Sequence, residues 1–257
     1  MSARVRRIDE RGGRWVRLVL EAPRGNLLSL EMVRSLHAEL DEITDIRHLR
    51  WLTLEGAEGE FSFGARIQEH LPVPMRDVLP STHALLRRLL ALPVPTAALV
   101  EGRCLGGGFE LALACDDILA APDATFGLPE IKLGAFPPVA ALLLPLRVGA
   151  SRAARAVVTG DAQGADYWHQ AGLVSIAAPG RTIVESATDW FDTRLADLSA
   201  TVLSHACRVS RLLVRTQVEP LIEVVERQYL DELLETRDAV EGVRAWMERR
   251  APNWEDR

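Results

Sequence analysis

Lysine is almost missing from this chain: of 30 basic residues, Lys132 is the single lysine and the rest are arginine. That skew reads as a bias of the coding DNA before it reads as function. A basic excess is missing too, since the formal net charge is −6. Affinity for phosphate backbones is built from surplus Lys and Arg, so no nucleic-acid partner is expected. Cysteine is scarce and odd in number. Cys104, Cys115 and Cys207 stand far apart, with no CxxC or Cys/His cluster to hold zinc. Three thiols cannot all pair within one chain, and a reducing cytoplasm is the simplest setting. The longest apolar run, Val139 to Leu146, carries a proline and is far too short to cross a bilayer. The N-terminus is charged with no apolar run behind it, which argues against a secretory signal. The six histidines form no HxH, HxxxH or HExxH, so no metal site is expected, and no serine sits in GxSxG.

What is present has ordinary globular composition: 257 residues, 48% hydrophobic and 26% charged. Alternation predicts strands over Trp15–Leu20, Leu49–Leu54, Pro95–Val100 and Asp117–Ala121. A helical period with Ser29 as N-cap runs from Ser29 to Ile43, and another helix is expected from Ser81 to Leu92. A Pro-studded stretch precedes the latter. From Thr182 onward the pattern is helical throughout, in four pieces: Thr182–Leu198, Ser204–Gln217, Glu219–Glu235 and Asp238–Arg250. The order predicts an α/β fold with buried strands. One boundary is expected, with a core over residues 1–192 and a helical region over 193–257. Helices with apolar stripes on several faces, such as Leu221, Val224, Val225, Leu230, Leu233 and Leu234, must pack on something.

The sharpest motif is Leu105-Gly106-Gly107-Gly108-Phe109-Glu110, between a strand and a helix. Three glycines there allow either a tightly packed turn or backbone N–H groups that donate to a developing oxyanion. The motif is neither GxGxxG nor a Walker loop. A second glycine loop, Phe61-Ser62-Phe63-Gly64-Ala65-Arg66-Ile67, offers another donor, and a two-point oxyanion hole needs two. Glu110 lies in the first helical turn, where the dipole favours its anion. It either compensates that dipole or acts as a buried base, and its neighbours Phe109, Leu111, Ala112, Leu113 and Ala114 are apolar. Glu130, after Gly127-Leu128-Pro129, is another lone acid in apolar surroundings, either a loop residue or an acid. Two carboxylates in unlike environments can divide acid from base work. His70, just past the second glycine loop, is a candidate pocket residue.

Taken together, these segments resemble the crotonase, or enoyl-CoA hydratase/isomerase, superfamily. The likeness runs from APRGNLLSLEMVRSLHAEL through FSFGARI, is densest over PVPTAALVEGRCLGGGFELALACDDILAAPDATFGLPEIKLG, and continues into the helical tail. It implies a spiral of ββα repeats, with a C-terminal helical region used in trimers often paired into hexamers. It implies an acyl-CoA thioester substrate, no cofactor beyond the coenzyme A of that substrate, and a carbonyl held by the N–H groups of Ala65 and Gly107. Glu110 and Glu130 match both catalytic glutamates of the superfamily's hydratases. The resemblance leaves open a generic 2-enoyl-CoA hydratase, an enoyl-CoA isomerase, and a catalytically silent RNA-binding or scaffold relative. After LG, the glycine-rich run usual in the family is replaced by Ala135-Phe136-Pro137-Pro138-Val139-Ala140. FSFGA, EHLP and LGAFPP are similar to the subfamily of cyclohexa-1,5-dienecarbonyl-CoA hydratases, which implies a flat alicyclic acyl group against Phe63 and Phe136.

Overall fold

The computed structural model describes residues 3–43 and 47–257. Its first strand is additional to those expected. β1 (Arg4–Glu10) pairs antiparallel with β2 (Trp15–Glu21) around a tight turn at Gly12 and Gly13, both at positive φ. β1 is an outer strand, and its arginines keep that edge charged; Arg4 reaches Glu21 at 2.9 Å. An irregular turn, α1 (Pro23–Asn26), leads to α2 (Leu30–Ile43). The Ser29 hydroxyl accepts the Met32 N–H at 3.3 Å, the expected N-cap, and α2 buries Met32, Val33, Leu36, Leu40 and Ile43.

β3 (Trp51–Gly56) begins two residues later than the alternation suggested. α3 (Pro72–Ala91) begins nine residues earlier than expected, because the Pro-studded stretch is its opening. Pro72 and Pro74 fall in the first turn, where a missing N–H costs nothing, and only Pro80 forgoes an interior hydrogen bond. β4 (Thr96–Val100), β5 (Arg103–Leu105), α4 (Gly107–Leu113), β6 (Asp117–Ala120) and β7 (Thr125–Gly127) follow in quick succession. Then come α5 (Pro138–Val148), α6 (Ala150–Thr159), β8 (Gln163–Gly164), α7 (Ala165–Gln170) and β9 (Ser175–Ile176), which the sequence reading did not assign. α5 is apolar over most of its length, so its period is hard to see.

The main sheet has the order β1-β2-β3-β4-β6-β9 and is parallel from β2 onward. Beside it runs a ribbon of short pairings: Leu28 with Ala65, Ser62 with Cys104, β5 with β7, and β7 with β8. The chain visits the sheet, then the ribbon, then a helix: β3, Ser62–Ala65 and α3; β4, β5 and α4; β6, β7 and α5. This is a spiral of ββα repeats.

The C-terminal third is helical: α8 (Ile183–Arg194), α9 (Ala200–Ser210), α10 (Leu212–Arg227) and α11 (Arg237–Glu248). Thr182 and Glu185 form a reciprocal capping box at the start of α8. Two expected helices are redrawn. Ser204–Gln217 breaks at Arg211, and Glu219–Glu235 ends in a π turn (Gln228–Glu232) and a 3-10 turn (Leu233–Glu235). At the first break Arg211 turns inward, where its Nε donates to Asp116 at 2.6 Å and its Nη2 to the Val94 carbonyl at 2.7 Å. Val218 and Ile222 of α10 lie in the same buried cluster as Leu111 of α4 and Leu144 of α5. Among the described residues, no helix is long and apolar enough to cross a membrane.

Candidate active site

The ribbon brings the two glycine loops side by side. In the Leu28–Ala65 bridge, the Leu28 N–H donates to the Gly64 carbonyl at 2.9 Å, so the Ala65 N–H is not one of its donors. Gly64, at φ 86°, faces the Leu105 carbonyl so closely that a Cβ would lie 2.8 Å from it. Gly107 opens α4, where a helix has N–H groups with no intrahelical acceptor. A Cβ built on Gly107 would stand 3.7 Å from the Ala65 nitrogen and 4.0 Å from Glu110 Oε2. Both backbone donors and one carboxylate therefore border a single point.

Glu110 is 5% exposed and Glu130 is 8% exposed, so both acids have left bulk water. Their partners differ. Glu110 Oε1 accepts the N–H groups of Val139 (2.8 Å) and Ala140 (2.9 Å) at the start of α5. Burial raises its carboxyl above the ordinary value, opposed by the Ala140 N–H, by nearby His83 and by the Val139 N–H. Glu130 sits in a 3-10 turn (Pro129–Leu133), and its Oε2 is buried without a partner. Burial first, and then the negative charge of Glu110, push it up to about 8. A Cβ on Gly106 would lie 2.5 Å from Glu130 Oε1, and Gly106 has φ 51°. Only glycine fits there.

A narrow chamber of about 40 Å³ is lined by both glutamates, Ala65 and Gly107. His70 and Phe136 line it too. Phe63 does not: its ring stacks beneath the Arg103 guanidinium at 3.9 Å, over Gly25. The strand-like Ser62–Gly64 segment sends alternate side chains to opposite faces, so the Ser62 hydroxyl donates inward to the Asn26 carbonyl while Phe63 lies against Arg103.

Residues 16–257 match the enoyl-CoA hydratase/isomerase family. The chain belongs to that family. It is 39% identical to the cyclohexa-1,5-dienecarbonyl-CoA hydratase of Thauera aromatica, over 96% of this chain and 95% of that one. It is 32% identical to the 2,3-dehydroadipyl-CoA hydratase of Escherichia coli K12, over 97% and 98%. Among solved structures, an enoyl-CoA hydratase from Mycobacterium avium superposes with a TM-score of 0.85 at 28% identity, covering 99% of this chain and all of that one. In this member of the enoyl-CoA hydratase/isomerase family, the altered segment after Glu130 becomes the start of α5, whose N–H groups hold Glu110.

Sequence reasoning missed other residues at the site. Tyr229 is 2% exposed, lines the chamber and packs on Phe136 with ring centroids 5.2 Å apart. Met75, Val78, Leu79 and Thr82 of α3 complete the wall. His83 is fully buried next to Thr82, with Nδ1 2.7 Å from Glu226 of α10. The signal for the α3 group was the helical spacing of Met75, Val78, Leu79 and Thr82, concealed by the flanking prolines.

Proposed function

We propose that this protein adds water to an α,β-unsaturated acyl-CoA thioester. The observation that carries the reading is the pair of buried glutamates with unlike partners, Glu110 holding two N–H groups and Glu130 Oε2 none, beside the neighbouring backbone nitrogens of Ala65 and Gly107. Ala65 and Gly107 N–H groups hold the thioester oxygen as negative charge builds on it; one such donor is typically worth about 10²–10³ in rate. Glu110, whose carboxylate accepts two N–H groups at the start of α5, takes a proton from water. The water oxygen bonds to the β-carbon, and electrons move onto the thioester oxygen. Glu130 begins protonated and gives its proton to carbon. Proton transfer from Glu110 to Glu130 restores the starting state, and the net change is one water added.

The acyl group that best fits the 39% identical relative is cyclohexa-1,5-diene-1-carbonyl, giving 6-hydroxycyclohex-1-ene-1-carbonyl-CoA. Along this ring diene the hydroxyl goes to the β-carbon on one side and the proton to the γ-carbon at the far end of the other double bond, leaving one double bond beside the thioester. Phe136 and Tyr229 offer aromatic faces to a flat ring. We further propose a trimer or a pair of trimers, because the C-terminal helices carry unpaired apolar side chains, and a cytoplasmic setting for the three free thiols.

The test incubates the protein with crotonyl-CoA and the dienoyl-CoA in parallel, following products by chromatography and mass. A gain of one water on the dienoyl ester alone supports the full assignment. Hydration of crotonyl-CoA alone makes this a general 2-enoyl-CoA hydratase. Double-bond migration without gain of mass makes it an isomerase.

A further inference from the structure

The chamber that holds the two carboxylates is short of hydrogen-bond donors. A water attacking carbon needs Glu110 to accept one of its protons, and its oxygen must be fixed so that a lone pair points at carbon. The start of α5 lies against the chamber, but its first residue, Pro138, has no N–H. The next two N–H groups, of Val139 and Ala140, are both spent on Glu110. The Thr82 hydroxyl donates to the Val78 carbonyl at 2.9 Å. His70 Nδ1 lies 3.3 Å from the Arg66 carbonyl, and burial lowers the imidazole's proton affinity, which leaves Nε2 bare as an acceptor. The Ala65 and Gly107 N–H groups serve the thioester oxygen, and the Glu130 proton is destined for carbon.

One donor is left over among the described residues lining the chamber. We propose that the Tyr229 hydroxyl donates a hydrogen bond to the oxygen of the attacking water and fixes its orientation. The inference deepens the hydratase reading and rests on it. Tyr229 stands in the π turn after α10, and an extra residue in a helical turn redirects side chains, often at functional sites. Its ring is set against Phe136 at 60°, and no protein group engages its hydroxyl among the described residues. Burial and the two carboxylates raise its pKa, so the phenol stays protonated and is a donor throughout the working range. The titratable groups facing it are Glu110 on α4, Glu130 in its 3-10 turn and His70 in the turn Ile67–His70. Tyr229 moves no proton; it is a positioning residue.

The test is Tyr229→Phe in the full chain, which deletes one oxygen and keeps the ring against Phe136. Turnover of the accepted acyl-CoA is measured against pH, with thermal unfolding alongside. The expected result is a kcat lowered by about tenfold or more, the value of one hydrogen bond in the transition state, with KM unchanged and no loss of melting temperature. The alkaline limb of kcat should also move upward, because a donor that reaches the carboxylates through water favours their anions. A kcat within about twofold of wild type with an unmoved limb overturns the proposal. So does a loss of rate that comes with a lowered melting temperature and an unmoved limb, which is packing alone. A wild-type protein that hydrates no acyl-CoA overturns the hydratase reading itself.

Discussion

Glu110 and Glu130 are the same side chain in two electrostatic settings, and the difference comes from what each oxygen touches. Glu110 has two backbone N–H partners, whereas Glu130 Oε2 has none. With Glu130 pushed up to about 8 from an ordinary 4.5, it contributes stability that is complete below pH 4.5 and lost as pH rises through 8. Glu130→Gln should separate the two consequences. Turnover should fall by about 10²–10⁴, because the proton donor is gone. Melting temperature should exceed that of wild type at pH 8 and above, and the gap should close toward pH 5, where wild-type Glu130 is protonated. Scanning fluorimetry across pH reads this, and a variant less stable than wild type at every pH contradicts the assignment. Both glutamates were visible in the sequence because each is a lone acid among apolar neighbours. Their unlike partners were not, since the N–H groups that Glu110 accepts come from residues 29 and 30 positions beyond it. Tyr229 was hidden for another reason. It sits in a stripe with Leu230, Leu233 and Leu234, which helical spacing alone reads as core.

Helices such as α2 were legible where polar residues mark the side that meets water, and α5 was obscure because apolar residues lie on both sides. α2 announced itself through its spaced apolar residues and Ser29 cap, and the capping box of α8 was present in Thr182 and Glu185. α5 was not, because five of its eleven residues are buried, including consecutive Pro138, Val139 and Ala140, and no polar stripe marks its period. The break between α9 and α10 was equally invisible. At that break stands Arg211, which crosses 95 residues of sequence to Asp116 and donates to the carbonyls of Leu92 and Val94. Its side chain is 7% exposed, while Asp116 is 34% exposed. Removing the guanidinium strands two carbonyls and frees a partly solvated carboxylate, so Arg211→Leu should cost about 2–4 kcal/mol. For a chain of this size that lowers melting by roughly 2–4 °C per kcal/mol. Urea unfolding gives the free energy directly, and a cost below about 1 kcal/mol would mean that the Arg211 network adds no net stability.

The molecule as a single chain leaves one region energetically incomplete. α9 buries a single residue, Cys207, over its eleven positions, and an isolated helix of that length is marginal in water. Around it and into α10, Val202, Val209, Leu212 and Leu213 are 66%, 73%, 59% and 75% exposed. Apolar side chains this open on consecutive helices are what a neighbouring copy covers in a symmetric assembly. The outer strand β1 is guarded differently, because Arg4 and Glu21 keep that edge charged, which disfavours pairing with another strand. The trimer in our reading therefore forms through the C-terminal helices and not through sheet extension. Light scattering behind a sizing column should give three or six times the 28.4 kDa chain mass. Leu212→Glu with Leu213→Glu should reduce it to one, while placing charge only where the lone chain is already exposed. A wild-type protein that runs as a monomer at micromolar concentration would leave α9 to be held by its flanks alone, and the assembly would be refuted.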